Sequence, residues 1–148
     1  MITTKWFYGN AEQFKDAFYI RKVVFMDEQG FSEKEEFDGT DDEALHLVVY
    51  EANDPIATGR IITIDGKCFL GRIAVLEEKR RKYYGDLVVR MLIRRAFIMG
   101  AGKQYANAQT RAKGFYKKLG FIEIGEVFDD GGVEHIQMEH EGDIVGDC

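Results

Sequence analysis

Four consecutive cations, Lys79, Arg80, Arg81 and Lys82, stand just before an amphipathic helix, and this is where the chain concentrates most of its chemistry. The stretch reads as an apolar strand over 68–75, a basic turn over 77–85 and a helix opening at Asp86, which has the chemistry of an N-cap. A helix N-terminus carries several backbone N–H groups without partners and about half a positive charge from its dipole. Cations placed at that end make a site for a multiply charged anion such as a pyrophosphate. The reading is therefore a nucleotide-containing ligand gripped by the turn.

A second charged region has the opposite sign. Residues 26–43 hold nine acids and a single base, Lys34, while residues 72–95 hold eight bases and three acids. Residues 123–148 hold nine acids and neither Lys nor Arg. A basic middle between acidic flanks fits two subsites, one for an anionic cofactor and one for a cationic substrate. The acidic stretches also read as ordinary solvated surface, the C-terminal one above all.

Size and composition bound the rest. The chain has 148 residues, 45% apolar and 31% charged, which suits one folded domain spanning 1–148. A net charge of −6 argues against a general nucleic-acid binder. No apolar run is long enough to span a bilayer, and the first residues lack a signal-peptide pattern. The two cysteines, Cys68 and Cys148, fit no disulfide framework, so a reducing cytoplasm is expected. Three scattered histidines show no metal-ligand spacing, so no metal is expected.

The elements that must position these residues follow from periodicity. A strand is predicted over 2–8, then a helix from an Asn10 cap, with Gln13 completing the box, to about residue 26. A long acidic loop over 27–43 follows, a length that usually signals function. Strands over 44–51, 56–64 and 67–75 form a meander, with Asp65-Gly66 a hairpin signal. The second helix covers 87–99, with Leu87, Val88, Met91, Leu92 and Phe97 on its apolar side. A strand over 103–109 must run parallel to the one before that helix, or be splayed from it. Thr110 is expected to cap a short helix to residue 119, and strands over 121–128 and 133–140 close the chain. The order β-α-β-β-β-α-β-α-β-β makes a layered α+β fold with a mixed sheet.

Two segments together carry a resemblance. The turn Arg80-Arg81-Lys82-Tyr83-Tyr84-Gly85 is similar to the Arg/Gln-x-x-Gly-x-Gly/Ala turn of the GNAT N-acetyltransferase superfamily, and Ala112, Tyr116, Gly120 and Phe121 match its Ala-x-x-x-Tyr-x-x-x-Gly-Phe pattern. Arg21, Val24, Phe25, Glu28 and Gln29, with the acids up to Asp38 and with His46, resemble the small bacterial ElaA/YjcF-like branch. The resemblance covers nearly the whole chain. It implies a mixed, mostly antiparallel central sheet flanked by helices, and acetyl-CoA as cosubstrate. It also implies transfer of the acetyl group to a primary amine of a small cationic molecule or peptide, by direct attack in a ternary complex. A homodimer is a further implication. The alternative is a CoA-binding sensor or a relative that has lost turnover.

The resemblance also assigns residues. Ile73, Ala74 and Val75 lie beside the pantetheine arm. Arg80, Arg81, Lys82, Tyr83, Tyr84, Gly85 and Asp86 surround the pyrophosphate, and Gln109 and Phe115 contact the cofactor. Tyr116 is the general acid for the departing thiolate, which suits a phenol whose pKa is ordinarily near 10. Glu28 is taken as the base, with Glu33, Asp38 and His46 as alternatives and His135 open in the same way. Arg21 reads equally as a lining of the acceptor pocket or as part of a solvated helix face. Three positions depart from the family pattern. Tyr83 stands at the first Gly, where its ring either blocks the phosphate or points outward; Asp86 puts an anion near the pyrophosphate; and Gln109 replaces a common Asn.

Overall fold

The computed structural model describes residues 1–144; Cys148 and the end of the acidic tail lie outside the described residues. Seven strands, β1 (Ile2–Tyr8), β2 (Leu45–Glu51), β3 (Asp54–Ile64), β4 (Lys67–Val75), β5 (Lys103–Gln109), β6 (Ile122–Asp130) and β7 (Val133–Glu141), form one sheet in the order β1-β2-β3-β4-β5-β7-β6. Only β4 and β5 run parallel; the other neighbours are antiparallel. β7 is inserted between β5 and β6, a placement the hairpin pattern alone leaves open.

Strand alternation divides the interior in two. Leu47 and Val49 pack with Val88, Val89, Leu92, Ile93 and Ala96 of α3 (Tyr84–Ile98) on one face. Val48 and Tyr50 pack with Ala17 and Ile20 of α1 (Phe14–Arg21) on the other. Burial on both faces explains why β2 reads as a nearly continuous apolar run. Phe97, expected inside, is exposed. One residue turns a helix by about 100°, which carries Phe97 past the buried stripe that ends at Ala96.

Several predicted boundaries move. α1 starts at Phe14, so Asn10 is not its cap; Gln13 holds that position and makes no side-chain cap bond. The helix then widens into a π-helical stretch over Lys22–Glu28. The predicted acidic loop is largely folded: Ser32 and Glu35 form a reciprocal capping box on α2 (Glu33–Glu36), and a 3-10 turn covers Asp41–Glu43. Thr110 opens a 3-10 turn instead of capping α4 (Lys113–Lys118), whose cap position is Ala112.

One irregularity shapes the site. Arg60 faces Gly71 and Thr58 faces Ala74, so Arg72 and Ile73 together oppose Gly59. This is a β-bulge, and Arg72 takes φ +51° there. Bulges bend a strand, and β4 pairs with β5 only at Phe69 and Tyr105. From the bulge to Val75, β4 has no partner on its β5 side. α3 seats directly on Gly59, where an added Cβ would lie 2.7 Å from Val88 Cγ1 and 2.8 Å from Leu92 Cδ1.

Candidate active site

The basic turn becomes an anion cradle through its backbone. Arg81 and Tyr83 both have left-handed φ, +64° and +66°, with Lys82 of ordinary φ between them. Such alternation turns successive N–H groups toward one concavity. Tyr83 is the N-cap residue of α3 and caps it with no side-chain bond, so the first N–H groups of the helix stay available. Left-handed φ is the reason glycine suits this position. Tyr83 is 83% exposed, so its side chain stands in solvent at the edge of the groove instead of filling the cradle. Asp86 is not the cap: it lies inside the first turn, and its carboxylate accepts from Arg90 Nε at 2.7 Å, which draws its charge along the helix. Tyr84 and Gly85, expected in the turn, are helical.

Around this cradle lies a groove of about 440 Å³, lined by Val75, Lys79, Arg80, Arg81, Tyr83, Tyr84, Gly85, Asp86, Phe115 and Lys118. Lys79 is paired with Glu51, and Arg80 donates to the Val75 carbonyl at 3.0 Å and to Glu28 at 2.9 Å. Among the described residues Arg81 and Lys82 make no ion pair, so their charge is free for a ligand. These residues fit a pyrophosphate: bare N–H groups at a helix end, unpaired cations, and an apolar wall from Val75 and Phe115.

A second cavity, of about 380 Å³, opens where β4 and β5 part. Ile73, Asn107, Gln109 and Tyr116 line it, together with Phe25, Gln29 and Phe31 from the first helix and the segment after it. β4 and α4 contribute residues to both spaces. On β4, Ile73 faces the cavity and Val75 the groove; on α4, Tyr116 faces the cavity and Phe115 the groove. Ala74 is buried against α1 and offers this region only its backbone. Gln109 lines the cavity and not the groove, and donates to Gln29 at 2.9 Å. Tyr116 packs edge-on against Phe115 and Phe121, and burial pushes its phenol well above the ordinary range. The hydroxyl therefore stays protonated at any physiological pH.

The acidic segment is tied to this cavity by buried ion pairs. Arg21 donates to Glu36 and to Asp41, each at 2.7 Å, and Arg60 donates to Asp41 at 2.8 Å. Arg72 Nε lies 3.2 Å from the Glu36 carboxylate. Arg21 thus neither lines the pocket nor faces water; it is 1% exposed and clamps the segment. Burial raises the Glu36 carboxyl, and the guanidiniums beside it offset that only in part. Burial acts the same way on Asp41, but Arg21 and Arg60 outweigh it and hold that carboxyl below its usual range. His46 is buried, its Nε2 3.1 Å from the Asp41 carbonyl, and burial lowers its pKa. It does not line the cavity. Glu28, taken as the base, does not reach the cavity either, because Arg80 holds its carboxylate at the basic turn.

Sequence reasoning expected the acidic segment at the acceptor subsite but missed the wall built by Phe25, Gln29 and Phe31, and it missed Lys118 in the groove. The signals were weak. A π-helical stretch has no simple periodicity, and the side chains meet only because the acidic segment folds back over β4.

Comparison with known proteins places this geometry in a family. The family model for the acetyltransferase (GNAT) domain matches residues 21–141. The chain belongs to the GNAT acetyltransferases and is an N-acetyltransferase of that family. Within it the chain is 42% identical over 130 residues to the uncharacterized N-acetyltransferase YjcF of Bacillus subtilis (strain 168), covering 87% of this chain and 93% of that one. The crystal structure of Escherichia coli ElaA superposes with a TM-score of 0.84 at 25% identity, over 95% of this chain and 100% of the other. That of an acyl-CoA N-acyltransferase from Pseudomonas aeruginosa gives a TM-score of 0.83 at 21% identity, over 95% and 99%. The fold is thus the mixed, mostly antiparallel sheet flanked by helices that the resemblance implied.

Proposed function

We propose that the chain, acting as one domain, transfers an acetyl group from acetyl-CoA to a primary amine on a small cationic molecule or a peptide. Both substrates are held together, and attack is direct. The observation that carries this reading is the pair of spaces lined by neighbouring residues of β4 and α4, Ile73 and Tyr116 in one and Val75 and Phe115 in the other. Bound acetyl-CoA supplies an activated acetyl group. The cradle at Arg81, Lys82 and Tyr83 and the bare start of α3 bind its pyrophosphate. The unpaired β4 backbone from Ile73 to Val75 orients its arm. Tyr116 holds a proton for the sulfur, and burial favours that protonated state. Glu35, Asp38 and Asp130 on the other cavity walls favour a cationic acceptor.

The reading of a CoA-binding protein without turnover rested on Tyr83 and Asp86. The exposure of Tyr83 and the Asp86–Arg90 pair weigh against it. The test is free-thiol release from acetyl-CoA across polyamines, aminosugars and peptide amines. Release above background with at least one of these is expected, and none with any of them would defeat the proposal.

A further inference from the structure

The cavity assigned to the acceptor contains an imidazole whose hydrogen bonding fixes its tautomer. His135 Nδ1 lies 2.8 Å from the Val133 carbonyl oxygen. A carbonyl only accepts, so Nδ1 donates, and in the neutral ring Nε2 keeps the lone pair. Among the described residues Arg60 Nε is the one fully buried side-chain polar atom without a partner. His135 Nε2 has no hydrogen-bond partner among the described residues, its ring stacks on Phe128, and His135 lines the cavity.

Position in the sheet sharpens this. Ile136 and Met138 of β7, and Ala106 and Ala108 of β5, face the core shared with α3 and Tyr116. By alternation His135 and its cross-strand neighbour Gln109 face the opposite side. The cleft between β4 and β5 thus has a phenol reaching it from one face and an imidazole from the other. Of the other candidate bases, Glu28 is engaged by Arg80, Asp38 by Thr40 and Arg72, and His46 sits behind the Asp41 carbonyl, while Glu33 is exposed and does not line the cavity.

We propose that His135 is the general base for the acceptor amine, an inference that rests on the acetyltransfer reading above. Nε2 takes one proton from the acceptor ammonium and passes it to solvent. The freed lone pair forms the C–N bond to the acetyl carbon as the C–S bond breaks. Tyr116 protonates the leaving sulfur, and the second proton lost by the nitrogen restores the phenol. The sum is ammonium plus thioester giving amide, thiol and one released proton.

The charged groups of this cavity are the carboxylates Glu35, Glu36, Asp38 and Asp130 and the guanidiniums Arg60, Arg72 and Arg111. Burial raises Glu36 among these, so a limb belongs to the imidazole only where its midpoint follows the ring nitrogen itself and it disappears with the ring. The test follows initial rates against pH for the unmodified protein and for His135→Gln, with acetyl-CoA and the most active amine of the panel. Imidazole nitrogen NMR of the unmodified, ligand-free protein is titrated in parallel, and acetyl-CoA affinity is measured by calorimetry. The expected result is a kcat/KM that rises with a midpoint matching the Nε2 titration of His135. His135→Gln should lose about 100-fold near neutrality, lose that limb and keep its acetyl-CoA affinity. If His135→Gln is misfolded and binds no acetyl-CoA, the agreement or disagreement of the two midpoints in the unmodified protein decides. A limb that survives in the variant, or midpoints more than about one unit apart, overturns the assignment to His135 and leaves acetyltransfer standing. No transfer to any amine by the unmodified protein overturns both.

Discussion

At the scale of single residues, environment decides role. Tyr116 is an ordinary aromatic by composition, but burial against Phe115 and Phe121 raises its pKa and keeps the phenol protonated, as the proposed donor role requires. Tyr116→Phe should lower kcat by about 10- to 100-fold with little change in acetyl-CoA affinity, as steady-state kinetics and calorimetry would read. Because the phenol is protonated below its raised pKa, the rate of the unmodified enzyme should show no loss of the acid form up to about pH 10. An equal fall in kcat and affinity for the variant would mean that the ring serves packing alone. His46 shows the converse. Burial favours its neutral ring, so the folded state binds this proton less well than the unfolded chain does. Its contribution to stability is present above the unfolded pKa of about 6.5 and is lost as pH falls below it. Asp41, also held low, adds a similar loss further down, below about pH 4. Glu36, held high, opposes these as pH falls through its raised pKa. Thermal unfolding followed downward from pH 7 should therefore show Tm beginning to fall near pH 6.5, before most carboxylates protonate.

At the scale of elements, the turn into α3 and the bulge in β4 do the positioning. Left-handed φ at Tyr83 costs a β-branched residue far more than it costs glycine. Tyr83→Val should destabilise by about 1–2 kcal/mol and weaken acetyl-CoA binding. Tyr83→Gly should leave the affinity within about twofold, since the exposed ring lies outside the cradle (a change of ~0.4 kcal/mol). Calorimetry on both variants separates backbone geometry from side-chain contact. Gly59 is the other fixed point, because Val88 and Leu92 occupy the space a methyl would need. Gly59→Ala should cost about 1–3 kcal/mol in denaturant unfolding and reduce acetyl-CoA affinity by shifting the start of α3.

At the scale of the whole molecule, the acidic segment is held as a wall by charge buried in the interior. Arg21 joins the end of α1 to Glu36 and Asp41, Arg60 joins the sheet to Asp41, and Arg72 joins the bulge to Glu36. Replacing Arg21 leaves Glu36 with Arg72 and Asp41 with Arg60, each short of one buried partner. Arg21→Met should destabilise by about 3–5 kcal/mol, measured by urea unfolding. At temperatures where the variant stays folded, it should raise KM for the amine more than KM for acetyl-CoA. Net acidity had read as surface solvation or as substrate attraction; at Glu36 and Asp41 it is a structural clamp.

The strands and the basic turn were legible in the chain, because they depend on periodicity and on contacts a few residues apart. So was the acetyltransferase family, carried by short motifs in order. The caps at Asn10, Asp86 and Thr110 were misplaced, because capping depends on where the backbone turns and not on which side chains are able to cap. Tertiary structure alone decided that Glu28 answers Arg80, that Arg21 is buried, and that β7 inserts beside β5 and carries His135 to the cleft. Those outcomes come from residues tens of positions apart meeting across a bulged, splayed sheet, where charge finds its partner only after the fold has brought it near.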